Sequence, residues 1–126
     1  MELKAGLRGQ VSIVVGDDDT AIAMGSGDVP VLGTPRLLAL AEAATLEALS
    51  GRLPGGRTSV GTRAEVEHRA ASPVGARVTV EAELGEVDGK RLVFGFRAVD
   101  ERGSVVGAGR VERVVVERER FLARLQ

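Results

Sequence analysis

Cysteine, tryptophan and tyrosine are absent from this 126-residue chain, and three phenylalanines (Phe94, Phe96 and Phe121) are its only aromatics. Without cysteine there is no disulfide, no thiolate zinc site and no thiol nucleophile. With so few rings, a stacking platform for single-stranded bases is not expected. An excess of one charge is lacking too: 17 Lys and Arg stand against 18 Asp and Glu, for a net charge of -1. Acids and bases are interspersed along the chain, so no field is built for nucleic acid or an anionic membrane. No stretch approaches the roughly 18–20 apolar residues of a membrane span, and the opening MELKAGLRGQ has no apolar leader core. One histidine and scattered carboxylates supply no ligand cluster, so no metal is expected. The expectation is one cytoplasmic domain over residues 1–126, large enough for a single core.

What is present is a patterned α+β chain. Gln10 to Gly16 reads as a first strand, Thr20 to Met24 as a short second piece, and Gly25 to Gly33 as a loop. Thr34-Pro35 then opens a helix, with Thr as a favoured N-cap and Pro as a favoured first residue. It runs to about Leu49 and stops at Ser50-Gly51, with Pro54-Gly55-Gly56 beyond. Its alanines would let a sheet approach closely. Four strands follow: Arg57 to Ala71, Arg77 to Val87, a segment around Leu92 to Ala98, and Ser104 to Val116. Asp88-Gly89 marks a hairpin turn between the middle two. Glu117 to Gln126 is a polar tail with helical character. One strand, one long central helix and a run of hairpins describe a helix wrapped by a curved antiparallel sheet of about five strands, the hot-dog arrangement.

Three residues stand on faces that their neighbours mark as buried. His68, the sole histidine, lies with Thr62, Ala64, Val66 and Ala70 on one side of an alternating strand, opposite Arg63, Glu65, Glu67 and Arg69. Glu42 is the only charge in the run LLALAEAATL from Leu37 to Leu46. An inward carboxylate and an inward imidazole are costly unless paired or used. Each also has a purely structural reading. Thr34 is a sufficient N-cap, Glu42 a core-edge acid bonded to backbone or to an arginine, and His68 a satisfied core histidine. Gly61 suits a bulge or close approach, and Arg113, beside Arg110 and Glu112, suits a surface ion pair.

The spacing adds a resemblance. Thr34, Leu40-Ala41-Glu42-Ala43-Ala44, Ser59-Val60-Gly61-Thr62, His68 and Ala70-Ala71-Ser72-Pro73-Val74-Gly75 run in the order of a known family, as do Val78-Thr79-Val80, Gly107-Ala108-Gly109 and Glu112-Arg113. The chain resembles the hot-dog acyl-CoA thioesterases, those acting on fluoroacetyl-CoA in particular. That resemblance implies a catalytic set of Thr34, Glu42 and His68, with Gly61 and Arg113 on the substrate side. It implies coenzyme A only as part of the substrate, with no other cofactor. It also implies a homodimer or tetramer whose sheets join edge to edge, with the site between subunits. The fluoroacetyl enzyme lines its lid with phenylalanines, whereas Gly25 to Gly33 here reads GSGDVPVLG. A general acyl-CoA thioesterase is therefore expected, without selectivity for a fluorinated acyl group. The alternative is a non-catalytic acyl-CoA or small-molecule binding protein of the same fold. Hydratase chemistry on this fold pairs an Asp and a His in one helix-adjacent loop, and no such pair exists here.

Overall fold

The computed structural model describes residues 3–126. Strand β1 (Arg8–Val14) leads through a single 3-10 turn (Asp17–Asp19) and a one-turn helix α1 (Ala21–Met24) into the long helix α2 (Thr34–Leu49). Four strands follow, β2 (Arg57–His68), β3 (Arg77–Asp88), β4 (Arg91–Asp100) and β5 (Val105–Glu117), and a short helix α3 (Arg118–Ala123) ends the chain. All neighbouring pairs are antiparallel, in the order β1-β3-β4-β5-β2. The sheet curls around α2 as a hot-dog fold.

Period two and period 3.6 meet in the core. Val78, Val80, Ala82 and Leu84 of β3 are buried, as are Leu92, Phe94, Phe96 and Ala98 of β4, with small residues set against large ones (Ala82 opposite Phe96). Helix α2 answers with Leu37, Leu40, Ala41, Ala44, Thr45 and Ala48, one continuous stripe. Each fully buried leucine there contributes about 1.5–3 kcal/mol relative to exposure. The alanines do let the sheet come close. A Cβ on Gly9 of β1 would collide with the backbone of Ala44, Glu47 and Ala48.

Three local expectations are corrected. Thr20 to Met24 is a helical turn rather than a strand: the Thr20 hydroxyl accepts from the Ala23 N–H at 3.2 Å, and Gly25 (φ 70°) ends it. Strand β2 stops at His68, short of Ala71, because the N–H groups of Arg69 and Ala70 both turn to the Val106 carbonyl. Thr34 is not the N-cap of α2. Gly33 holds that position, and no side chain caps the helix.

Two features of β2 position the candidate site. It is an edge strand, so its outer backbone groups have no partner strand among the described residues. A β-bulge interrupts its pairing with β5 between Gly61 and Arg63. Before the bulge Ser59 and Gly61 face the helix; after it Ala64, Val66 and His68 do, because one extra residue reverses the alternation.

Candidate active site

Helix α2 and strand β2 carry the candidate residues, and the loop before α2 is tied down so that Thr34 meets the end of β2. The Asp19 carboxylate accepts from the Gly16 N–H at 2.8 Å and from Arg36 Nε, in the first turns of α2, at 2.7 Å. Those two donors hold the Asp19 carboxyl below its ordinary value, the backbone donor foremost. The Leu32 N–H donates to the Ser72 carbonyl and the Gly33 N–H to the Asp19 carbonyl. Thr34 is thereby delivered to His68, its Oγ1 lying 2.8 Å from Nδ1.

The His68 ring is half-buried, and that burial pushes its pKa below the usual histidine value, which favours a neutral imidazole at pH 7. Its Nε2 is buried with no hydrogen-bond partner. The ring and Thr34 line a cleft of about 310 Å³ together with Ser26, Gly27 and Val29 of the preceding loop. That wall is built of small side chains and carries no aromatic ring.

A second cluster forms further along the helix. Glu42 Oε2 lies 3.6 Å from Arg113 Nη1. Arg113 is itself buried, donating from Nε to Ser59 Oγ at 2.8 Å and from Nη2 to the Ser59 carbonyl at 3.1 Å. Burial pushes the Arg113 guanidinium down from its ordinary value, while Glu42 pulls it back up. Gly61, opposite Arg113 in the register, leaves the space that Glu42 fills: a Cβ there would lie 2.6 Å from Oε2.

The expected trio therefore divides. Thr34 meets His68, while Glu42 meets Gly61 and Arg113. Eight residues at 1.5 Å each set Thr34 and Glu42 about 12 Å apart along α2. Glu42 is not enclosed by the apolar run around it: one position past Ala41, it lies about 100° round the helix from that residue, at the edge of the buried stripe, and its side chain is 41% exposed. Its partner is an arginine. Arg113 is no surface ion pair, since it is only 5% exposed, and its signal was its place between Val111 and Val115 on one face of β5. Ser59 was not singled out by sequence reasoning, although it stands two residues before Gly61 on the same face. Arg63, Glu65, Glu67 and Arg69 are the solvated face, paired among themselves. Among the described residues no group of three or more His, Asp or Glu could hold a metal ion, and no helix is long and apolar enough to cross a membrane.

A model of the fluoroacetyl-CoA-specific thioesterase family matches residues 15–119. The chain belongs to this family. As a family member it is a thioester hydrolase, and the match includes every residue of both clusters. A fluoroacetyl-CoA thioesterase from Streptantibioticus cattleyicolor is 39% identical over 99 residues, covering 76% of this chain and 68% of that one. Among solved structures, a Thr-to-Ser variant of the fluoroacetyl-CoA thioesterase FlK in complex with acetyl-CoA superposes with a TM-score of 0.90 at 32% identity, covering 98% of this chain and 96% of that one. A thioesterase superfamily member from Thermus thermophilus gives a TM-score of 0.91 at 25% identity, over 98% and 91% of the two chains.

Proposed function

We propose that the protein hydrolyses small acyl groups from coenzyme A, with Glu42, His68 and Thr34 as the reacting set. The observation that carries this reading is the seat built for one carboxylate. A buried arginine anchored by Ser59 and a missing Cβ at Gly61 hold Glu42 at the sheet edge, where a partly open acid can reach a substrate. A thioester releases a thiolate whose conjugate acid has a pKa of roughly 8.5, so the leaving group needs little help. The demanding step is delivery of the nucleophile and stabilisation of the oxyanion. Glu42 supplies the first, by activating water or by attacking the carbonyl directly. His68, neutral and held at Nδ1 by Thr34, has Nε2 left to polarise the carbonyl or guide water. Gly61 and Arg113 border the acyl group.

The two clusters join in a homodimer. The unpaired edge of β2 is where a second copy adds as an antiparallel strand. A two-fold axis crossing β2 near Ala64 or Glu65 sets His68 of one subunit beside Gly61 of the partner subunit. Glu42 and His68 then share one crevice without either leaving its own bracing. Ala64, on the helix side yet exposed in the single chain, is covered by the same pairing.

The cleft beside His68 holds only about 310 Å³, which favours a short acyl chain, acetyl or fluoroacetyl, over a long one. The test is thiol release from acetyl-, fluoroacetyl-, branched, aromatic and long-chain acyl-CoA by the wild type, Glu42→Gln and His68→Ala. Glu42→Gln is expected to lose about 10²–10⁴-fold in kcat, the usual contribution of a positioned acid–base group. His68→Ala should lose most activity, and both variants should keep the wild-type mass in solution, that of two chains. Full turnover by both variants would end the assignment of the site.

A further inference from the structure

We propose that the groove beside α3 binds the phosphates of coenzyme A, as an anion-binding subsite separate from the acyl centre. The inference rests on the acyl-CoA reading above. The groove, about 500 Å³, is lined by Arg57, Lys90, Arg120 and Arg124, with Phe121 and a single carboxylate, Glu117, among its other residues. These cations come from three distant segments. The Val115 N–H donates to the Lys90 carbonyl and the Arg118 N–H to the Gly56 carbonyl, each at 2.9 Å, so the β3–β4 turn, the start of β2 and α3 converge.

Elsewhere Arg8, Arg36, Arg63, Arg69, Arg91 and Arg113 are held by carboxylates, in a molecule whose net charge is -1. Arg91, next to Lys90, binds Glu112 and Glu86, each at 3.0 Å. Within the groove Glu117 reaches only Arg120, at 3.8 Å, and both side chains are at least half exposed. Among the described residues Arg57, Lys90 and Arg124 have no carboxylate within 4.0 Å. A cluster of uncommitted cations fits a multiply charged anion, and guanidinium groups fit phosphate in particular.

Distance names the anion. Arg57 alternates with Ser59 and Gly61 on one side of β2, and four residues of strand separate it from Gly61 by about 13 Å. A pantetheine arm is comparable to about four residues of extended chain, roughly 13–14 Å. A thioester held at Glu42 and Gly61 thus brings the pyrophosphate and 3′-phosphate of coenzyme A to the mouth of the groove.

The test is binding rather than turnover: titration of CoA, dephospho-CoA and pantetheine into the wild-type protein and into the triple variant Arg57→Gln, Lys90→Gln, Arg124→Gln. The wild type should bind CoA at least about tenfold more tightly than pantetheine, with dephospho-CoA between, and high salt should erase the difference. The triple variant should hold all three within about twofold, while Arg97→Gln, on exposed β4 surface, keeps the wild-type order. Equal wild-type binding of CoA and pantetheine, or a triple variant that keeps the preference, overturns the subsite. A triple variant that binds CoA normally but loses activity on acyl-carrier protein also overturns it, by assigning the groove to an acidic protein surface. A wild type that shows the CoA preference yet releases no thiol from any acyl-CoA supports the subsite and sinks the proposed hydrolysis instead.

Discussion

The two ends of the candidate site are held in opposite ways. At Glu42 the bracing comes from the sheet: a buried guanidinium fixed to Ser59 by two hydrogen bonds, and a glycine that leaves room for the carboxylate. At His68 the bracing is one hydrogen bond to a threonine at the mouth of a helix, beside an exposed loop. The charged end is braced from the sheet, and the neutral end borders an open cleft of about 310 Å³. An acid that must keep one position against its own hydration needs oriented partners already in place. An imidazole that polarises a carbonyl needs its tautomer set and its other nitrogen left available. In the proposed roles, the difference in support matches the difference in task.

The sharpest way to break the comparison is to unseat the acid without touching it. Gly61→Ala places a Cβ where Oε2 now lies, and the flexible end of Glu42 can move aside at little cost to the fold. The expected outcome is about a 10²-fold fall in kcat, the scale of a misplacement near 1 Å, with a melting temperature close to the wild type. Arg113→Met comes next. It removes the cation while keeping an apolar side chain of similar reach; the Glu42 carboxylate left behind is 41% exposed and can be hydrated, so the stability cost should stay below the about 3–5 kcal/mol of a fully buried pair that loses one partner. Activity should fall about tenfold or more as Glu42 loses its partner. If either variant unfolds while its residual folded fraction turns over normally, the seat is structural only.

Much of this arrangement was legible in the residues, and what was hidden has physical reasons. The alternation of Val78 to Leu84 and of Leu92 to Ala98 foretold two core strands because one face of each is fully buried. Pro35 and Gly51 bracketed α2 within a residue or two. The site was harder. Helix α2 is apolar almost all round, with Leu46 50% exposed, so composition could not say that Glu42 lies at the edge of the stripe. Alternation counted back from His68 puts Gly61 on the solvent side; the bulge at Gly61 and Arg63 turns it inward, and nothing local announces that extra residue. Thr34 satisfied every rule for an N-cap, yet Gly33 took that role and left the hydroxyl for His68. Propensity described the helix start correctly and assigned the wrong residue to it.

A smaller effect tests the neutral end. Thr34→Val keeps the β-branched shape but removes the hydroxyl that holds Nδ1, and kcat should fall about tenfold or less. Thr34→Ser retains the oxygen and should recover most of that loss. Equal rates for the two variants would mean that the 2.8 Å contact does not set the ring.

The smallest expected effect is on stability against pH, and both groups that carry it lie at the neutral end: His68 itself and the Asp19 that braces the loop ahead of Thr34. Burial lowers the folded pKa of His68 below its ordinary 6.5, so between the two values the unfolded chain takes a proton that the folded chain refuses. The contribution is therefore complete above pH 6.5 and is lost as pH falls toward the folded value. Asp19, which anchors the loop ahead of Thr34, is lowered from 3.8 by the Gly16 N–H and by Arg36, so its contribution is complete above 3.8 and is lost below. Chemical denaturation across pH should show two separate declines. His68→Gln should flatten the decline that begins below 6.5 and leave the acidic one, whereas Asp19→Asn should do the reverse. A single decline untouched by His68→Gln would show that the imidazole titrates as freely in the folded protein as in the unfolded chain, and the buried, Thr34-bound ring would have to be abandoned.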